Sequence, residues 1–150
     1  MRMGTLEDVT VIAAHRRLMF ESMGALVAKD APELEAASRR YLEAAVPAGE
    51  YLAWLAEWEG RVVAGAGAVL RRLLPRPGHL DGGEEAYVLN VWVDEAHRGR
   101  GVATRLIREV IAWCASRGIR RVSLHASDAG RRVYERLGFT ATNEMRRDVP

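Results

Sequence analysis

Arg98-Gly99-Arg100-Gly101-Val102-Ala103 is the stretch on which the reading of this chain turns. It follows an apolar run, Ala86 to Val93, and precedes a segment in which Val102, Leu106, Val110 and Cys114 form one row with Ala103, Ile107 and Ile111 beside it. That spacing is the 3.6-residue period of a helix with one buried face. A strand therefore leads through a glycine-containing loop into a helix. Glycines let backbone come close to a ligand, the first helical turn has N–H groups without intrahelical acceptors, and the helix dipole is positive at that end. Together these properties favour an anion. Arg98 and Arg100 add positive charge, and Thr104 puts a hydroxyl in the first turn. A loop that only turns the chain, with its arginines solvated, carries the same signature.

Downstream, Gly118 is placed to close the helix in a left-handed cap, and Ile119 to Ala126 reads as the next strand. The unit is β-α-β, which requires a right-handed crossover and a parallel pair. A short helix follows from about Ala129 to Leu137, capped by Gly138, and Phe139 to Val149 reads as a last strand or two. Upstream, Val9, Ile12, Ala13, Leu18 and Met19 recur near helical spacing between Glu7 and Met23, and a second helix runs from Pro32 to about Ala45 before Pro47 and Gly49. Tyr51 to Glu57 and Arg61 to Leu70 form a hairpin about Gly60. Arg71 to Glu85, with two prolines and three glycines, reads as a long loop on the substrate side. Along Ala86 to Val93, Tyr87, Leu89, Val91 and Val93 point one way while Ala86, Val88 and Trp92 are apolar on the other, so this strand is covered on both faces. Met1 to Thr5 leaves little length for a first strand.

Composition narrows the function classes. The 150 residues are 49% hydrophobic and 28% charged, the profile of one ordinary globular domain. No apolar run has the roughly 18 residues needed to span a bilayer, and Arg2, Glu7, Asp8, Arg16, Arg17 and Glu21 interrupt any signal-peptide core, so a cytoplasmic protein without a membrane partner is expected. Cys114 is the only cysteine, which excludes an internal disulfide, and His15, His79, His97 and His125 lack metal-ligand spacing, so no metal is expected. Lys29 is the only lysine, and the arginines fall in scattered pairs within a net charge of +2, which argues against nucleic acid.

Two ordered motifs carry a resemblance. Val91-Trp92-Val93 followed by Arg98-Gly99-Arg100-Gly101-Val102-Ala103 resembles the (Q/R)-x-x-G-x-(G/A) acyl-CoA signature of the GNAT family of N-acetyltransferases. Tyr134-Glu135-Arg136-Leu137-Gly138-Phe139 resembles that family's second signature, and Asn143-Glu144-Met145 a common family tail. The resemblance covers Tyr51 to Val149, with the first fifty residues matching the family's two leading helices. It implies an α+β fold with a mixed, mostly antiparallel central sheet, splayed between strands 4 and 5 and flanked by about four helices.

By the same resemblance, acetyl-CoA is the co-substrate and an amine, on a small molecule or a peptide, is the acceptor. Backbone N–H groups from Arg98 to Ala103 would hold the diphosphate, Val91, Trp92 and Val93 would line the pantetheine arm, and the N–H of Val93 would face the thioester oxygen. A donor aimed at a developing oxyanion is a large catalytic factor. Amine attack expels a thiolate, and Tyr134 would be the acid that protonates it. Many family members have asparagine seven residues before this tyrosine; here Ser127 occupies that place, with Asp128 after it. Dimers are common in the family, so a homodimer is an expected assembly.

The base that deprotonates the amine is left open among Glu84, Glu85, Asn90, Asp94 and His125. The two leading helices and the Arg71 to Glu85 loop should shape the acceptor pocket, where Arg71, Arg72 and Arg76 would suit a carboxylate. The rival reading is a binding module that senses acyl-CoA without turning it over.

Overall fold

Positive-φ residues mark the corners of the sheet. Glu59 (φ 49°) and Gly60 (φ 75°) make the two-residue turn between β2 (Leu52–Trp58) and β3 (Arg61–Leu73), the geometry whose twist suits a hairpin. The computed structural model describes residues 1–149. Its remaining elements are β1 (Arg2–Met3), α1 (Val9–Ser22), α2 (Ala31–Ala45), β4 (Gly83–Val93), α3 (Val102–Ser116), β5 (Arg121–Leu124) and α4 (Asp128–Arg136). The strands lie in the order β1-β2-β3-β4-β5, antiparallel except for the parallel β4–β5 pair. This is the mixed, mostly antiparallel α+β sheet expected from the sequence.

Four expectations are corrected. The long loop is mostly strand: β3 continues to Leu73 and β4 begins at Gly83, with Arg71 opposite Glu85 and Arg72 opposite Glu84. Cross-strand pairs of opposite charge support an exposed ladder, so polarity here marks the solvated end of a hairpin. Only Leu74 to Gly82 remains as the connection, tightened by reciprocal backbone bonds between Arg76 and His79. The last strands are absent: Thr140 to Val149 is exposed without regular structure, because its few apolar residues, such as Met145 and Val149, have nothing to pack on. The strand read over Ile119 to Ala126 is confined to Arg121–Leu124, and the first strand is two residues long, in keeping with the little length available to it. Its place is secured by Arg2, which donates to both Asp8 carboxylate oxygens at 2.7 and 2.8 Å and holds that carboxyl down at about 2.

The fourth correction concerns β4. Opposite β3, pairing steps from Leu89 with Gly67 to Trp92 with Gly65, so β4 carries one extra residue. Asn90 is that residue, in the left-handed region at φ 53°. A bulge advances the pleat by one step. Ala86 and Val88 therefore face α3 together with Val91 and Val93, whereas Leu89 faces α1. Strict alternation from Tyr87 to Val93 does not hold.

Two cores sandwich the sheet. On one side Leu106, Ile107, Val110 and Cys114 of α3 lie against Ala64, Ala66, Ala68 and Ala86, where alanine lets the helix approach closely. All eight side chains are essentially sealed from solvent, and each leucine, isoleucine or valine so buried contributes about 2 kcal/mol. On the other side Val9, Ile12 and Ala13 of α1 and Leu42 and Ala45 of α2 cover Ala53 and Leu55. The β4–β5 ladder ends at Val88 with Leu124. Strand β5 itself ends there, while β4 runs on to Val93 without that neighbour.

Candidate active site

Gly99 and Gly101 have φ of 73° and 76° and are exposed, and a Cβ at either would meet nothing within 4 Å. Gly101 is the N-cap of α3 and no side chain caps that end, so the first amides of the helix stay unbonded within the chain. The amides of Gly99, Arg100 and Gly101 donate to no backbone carbonyl among the described residues. Val102, Ala103 and Thr104 are half-buried in the first turn. The arrangement fits a diphosphate. Arg98 differs from its neighbours: its amide donates to the Glu95 carbonyl, its Nε to the Val93 carbonyl at 3.0 Å, and its guanidinium lies 4.7 Å over the Trp92 ring. It fastens the loop to the end of β4, and the open cradle begins at Gly99.

The direction of the β4 amides follows from one bond. The Asp94 N–H donates to the Val63 carbonyl of β3 at 2.9 Å. Successive residues of a strand present their N–H groups to opposite edges, so the Val93 N–H points away from β3, toward the gap between β4 and β5. The Val91 N–H shares that edge. Trp92 instead turns toward α1, buried, with its indole N–H donating to Asp94 at 3.2 Å.

Helix α4 ends at the second motif. Gly138 (φ 87°) turns the chain back so that the Phe139 N–H reaches the Tyr134 carbonyl at 3.1 Å, a Schellman closure. The Phe139 ring then meets Tyr134 edge-on, centroids 5.8 Å apart. Tyr-x-x-x-Gly-Phe is thus a device that orients the tyrosine ring. Burial pushes the Tyr134 hydroxyl above its ordinary range, so it keeps its proton at neutral pH. Ser127 caps α4, its Oγ accepting from Gly130 N–H at 3.2 Å; its hydroxyl proton is still free to be donated.

The sequence pattern of the acetyltransferase (GNAT) family matches residues 12–139. The chain belongs to this family. A GCN5-related N-acetyltransferase from Ralstonia eutropha JMP134 superposes with a TM-score of 0.90 at 31% identity, over 99% of this chain and 96% of that one. A predicted acetyltransferase from Clostridium acetobutylicum, solved with acetyl-CoA, shares the fold at a TM-score of 0.87 and 23% identity, over 99% and 94% of the two chains. Glucosamine 6-phosphate N-acetyltransferase 1 of Oryza sativa subsp. japonica is 33% identical over 113 residues, 73% of this chain. The corresponding enzyme of Trypanosoma brucei brucei is 32% identical over 91 residues, 60% of this chain. The matched part spans 65% and 59% of those two relatives' lengths.

The α1 face of this GNAT sheet carries polar groups that sequence reading largely passed over. Asn90 is buried, donates to the Tyr51 hydroxyl at 2.9 Å and accepts from Arg16 at 2.5 Å. Burial drives the Tyr51 hydroxyl up to about 12. His15 lies on the same side with Nε2 4.0 Å from Asp94, while its buried Nδ1 has no partner among the described residues. Burial lowers its pKa, only partly opposed by Asp94. These contacts join residues 39 and 74 apart in sequence; the one local signal was a polar Asn90 inside an apolar strand. Among the other candidate bases, His125 sits against the Tyr87 hydroxyl and 3.9 Å from Glu144, and Glu84 and Glu85 stand at the hairpin's outer end, opposite Arg72 and Arg71.

A broad groove lies elsewhere. Some 590 Å³ between α1 and α2 is lined by Arg17, Glu35, Arg39 and Arg40. Arg17 is neutralised by Glu21 and Glu35 at 2.7 and 2.6 Å, and Arg39 stands 3.9 Å from Glu35.

Proposed function

We propose that this protein transfers an acetyl group from acetyl-CoA to an amine by direct attack. The observation that carries the reading is the set of unbonded amides from Gly99 to Ala103; the outward-facing N–H groups of Val91 and Val93 and the Tyr134 ring at the end of α4 support it. Acetyl-CoA supplies the activated acyl group. The amides from Gly99 to Ala103 bind its diphosphate, Thr104 and Ser127 add hydroxyls along its path, and Val91, Trp92 and Val93 form the strand edge beside its pantetheine arm.

The Val93 N–H donates to the thioester oxygen, where negative charge develops as the amine attacks. Such a donor is already in place before reaction and needs no reorganisation. Tyr134 then gives its proton to the departing sulfur. A tyrosine raised by burial is a weaker acid than a free phenol, yet it is protonated throughout the neutral range and so always ready to donate. The amine approaches from the α1 face of β4, the side opposite α3. Residues 1–150 act as one catalytic domain in this reading, in the cytoplasm, on small amines or peptide termini.

A thiol-release assay with acetyl-CoA and a panel of amines tests the proposal. Sustained release with amine acetylation is expected, and tight acetyl-CoA binding without release would establish a sensor instead. Tyr134→Phe should lower kcat by tenfold or more, within the range of a lost general acid, with acetyl-CoA affinity little changed. An unaltered kcat removes Tyr134 from the chemistry.

A further inference from the structure

The α1 face of the sheet holds two guanidiniums that no carboxylate neutralises. Elsewhere Arg2 pairs with Asp8 and Glu57, Arg17 with Glu21 and Glu35, and Arg98 with Glu95. Arg16 instead donates to the neutral amide of Asn90 and stacks 4.8 Å from the Phe20 ring. Arg71 lies 3.6 Å over the ring of Tyr87. Glu85 stands across from Arg71 in the strand register, but no ion pair joins them among the described residues.

The placement follows from the pleat. Val69 and Leu89 pack against α1, and Arg71 and Tyr87 share their faces by the period of two. Asn90 points the same way through its bulge. Arg16, Arg71, Tyr87 and Asn90 therefore lie on one surface, reached from the side opposite α3. The other titratable groups on this face are His15, 4.0 Å from Asp94, Glu85 across from Arg71, and His125, against Tyr87 and 3.9 Å from Glu144. A guanidinium has five donors, and Asn90 takes only one from Arg16. Stacking leaves the edge of Arg71 free as well.

We propose that the acceptor is a small amine bearing an anionic group, phosphate or carboxylate, bound by Arg16 with Arg71 beside it. This rests on the acyl-transfer reading above. Asn90, which Arg16 touches, is three residues from Val93, roughly 10 Å along the strand. An amino-sugar phosphate bridges most of that interval, with its anion near Arg16 and its amine at the thioester; the amine and carboxylate of an α-amino acid flank a single carbon, so the Arg16 side chain must lean toward Val93 to reach that carboxylate. Planar guanidinium forks recognise either anion in two-point fashion.

The test uses matched amines in steady-state assays with acetyl-CoA: glucosamine 6-phosphate against glucosamine, and alanine against alaninamide. Each anionic member should show a kcat/KM at least tenfold above its neutral partner, within the reach of a charge-assisted contact; the pair with the larger ratio identifies phosphate or carboxylate. Arg16→Gln and Arg71→Gln should each pull that ratio toward one. Arg71 is exposed, so its variant answers even where Arg16→Gln folds poorly. Equal use of charged and neutral partners, or a ratio intact in both variants, overturns the proposal while leaving acyl transfer standing. Calorimetric titration of glucosamine 6-phosphate and alanine, each with coenzyme A present, gives the converse. Arginine-dependent binding without any turnover sustains the anion site and removes acyl transfer, and absence of binding together with absence of turnover removes both.

Discussion

Replacing Gly101 separates backbone geometry from charge in the cradle. At φ 76° any residue with a Cβ pays left-handed strain, yet nothing lies within 4 Å of the position a Cβ would take. Gly101→Ala and Gly101→Glu should therefore lose the same stability, about 1 kcal/mol, with no added clash. They should differ in acetyl-CoA affinity. A glutamate carboxylate about 6 Å from a diphosphate of charge about −2 is repelled by about 1.4 kcal/mol at the dielectric of water and about 5.5 at an effective value of 20. Gly101 is exposed, so the lower part of that range applies, roughly a tenfold to hundredfold weaker Kd for Glu than for Ala. Calorimetric titration with acetyl-CoA reads the difference, and thermal melts of both variants verify the shared strain. Raising salt toward 0.5 M should narrow the gap, because exposed charges are screened. Equal affinities for the two variants at low salt would refute the assignment of this loop to the diphosphate.

Other positions yield sharper stability contrasts. Asn90→Ala should cost about 2–4 kcal/mol in urea denaturation, from left-handed strain and a Tyr51 hydroxyl stranded in the interior. Asn90→Gly should recover about 1 kcal/mol of this, by removing the strain alone; equal losses would discard the backbone argument. Because burial lowers the His15 pKa, the unfolded chain binds the proton more readily than the native one, so stability is full above the unfolded value near 6.5 and declines as pH falls below it. In chemical denaturation at pH 7, 6 and 5, His15→Gln should flatten that decline; a slope identical to the parent protein assigns it to other groups.

Legibility in the sequence followed the range of the interactions. Helix α3 and its two ends were readable because a 3.6-residue stripe, Gly101 and Gly118 are local signals, and the Schellman bond from Ile119 to Cys114 satisfies the end that Gly118 announces. The parallel β4–β5 pair followed from the helix between them. Reading failed where the partner decides. Arg71, Arg72, Glu84 and Glu85 resemble loop residues until they stand opposite one another, and Phe139 to Val149 resembles strand until no neighbour is found for it. The cradle was visible as a motif, whereas Arg16, Tyr51, Asn90 and His15 come together only through the packing of α1 on the sheet.

The bulge at Asn90 is a removable kink in β4. Excising Asn90 alone would join Leu89 to Val91 in an unbroken pleat, with Val91, Trp92 and Val93 keeping the faces and the β3 partners they have now, and the Val93 peptide hydrogen its outward aim. What would vanish is the polar group that the bend delivers to Tyr51 and Arg16. Conservative exchanges at those valines leave that hydrogen where it is, because it belongs to the main chain.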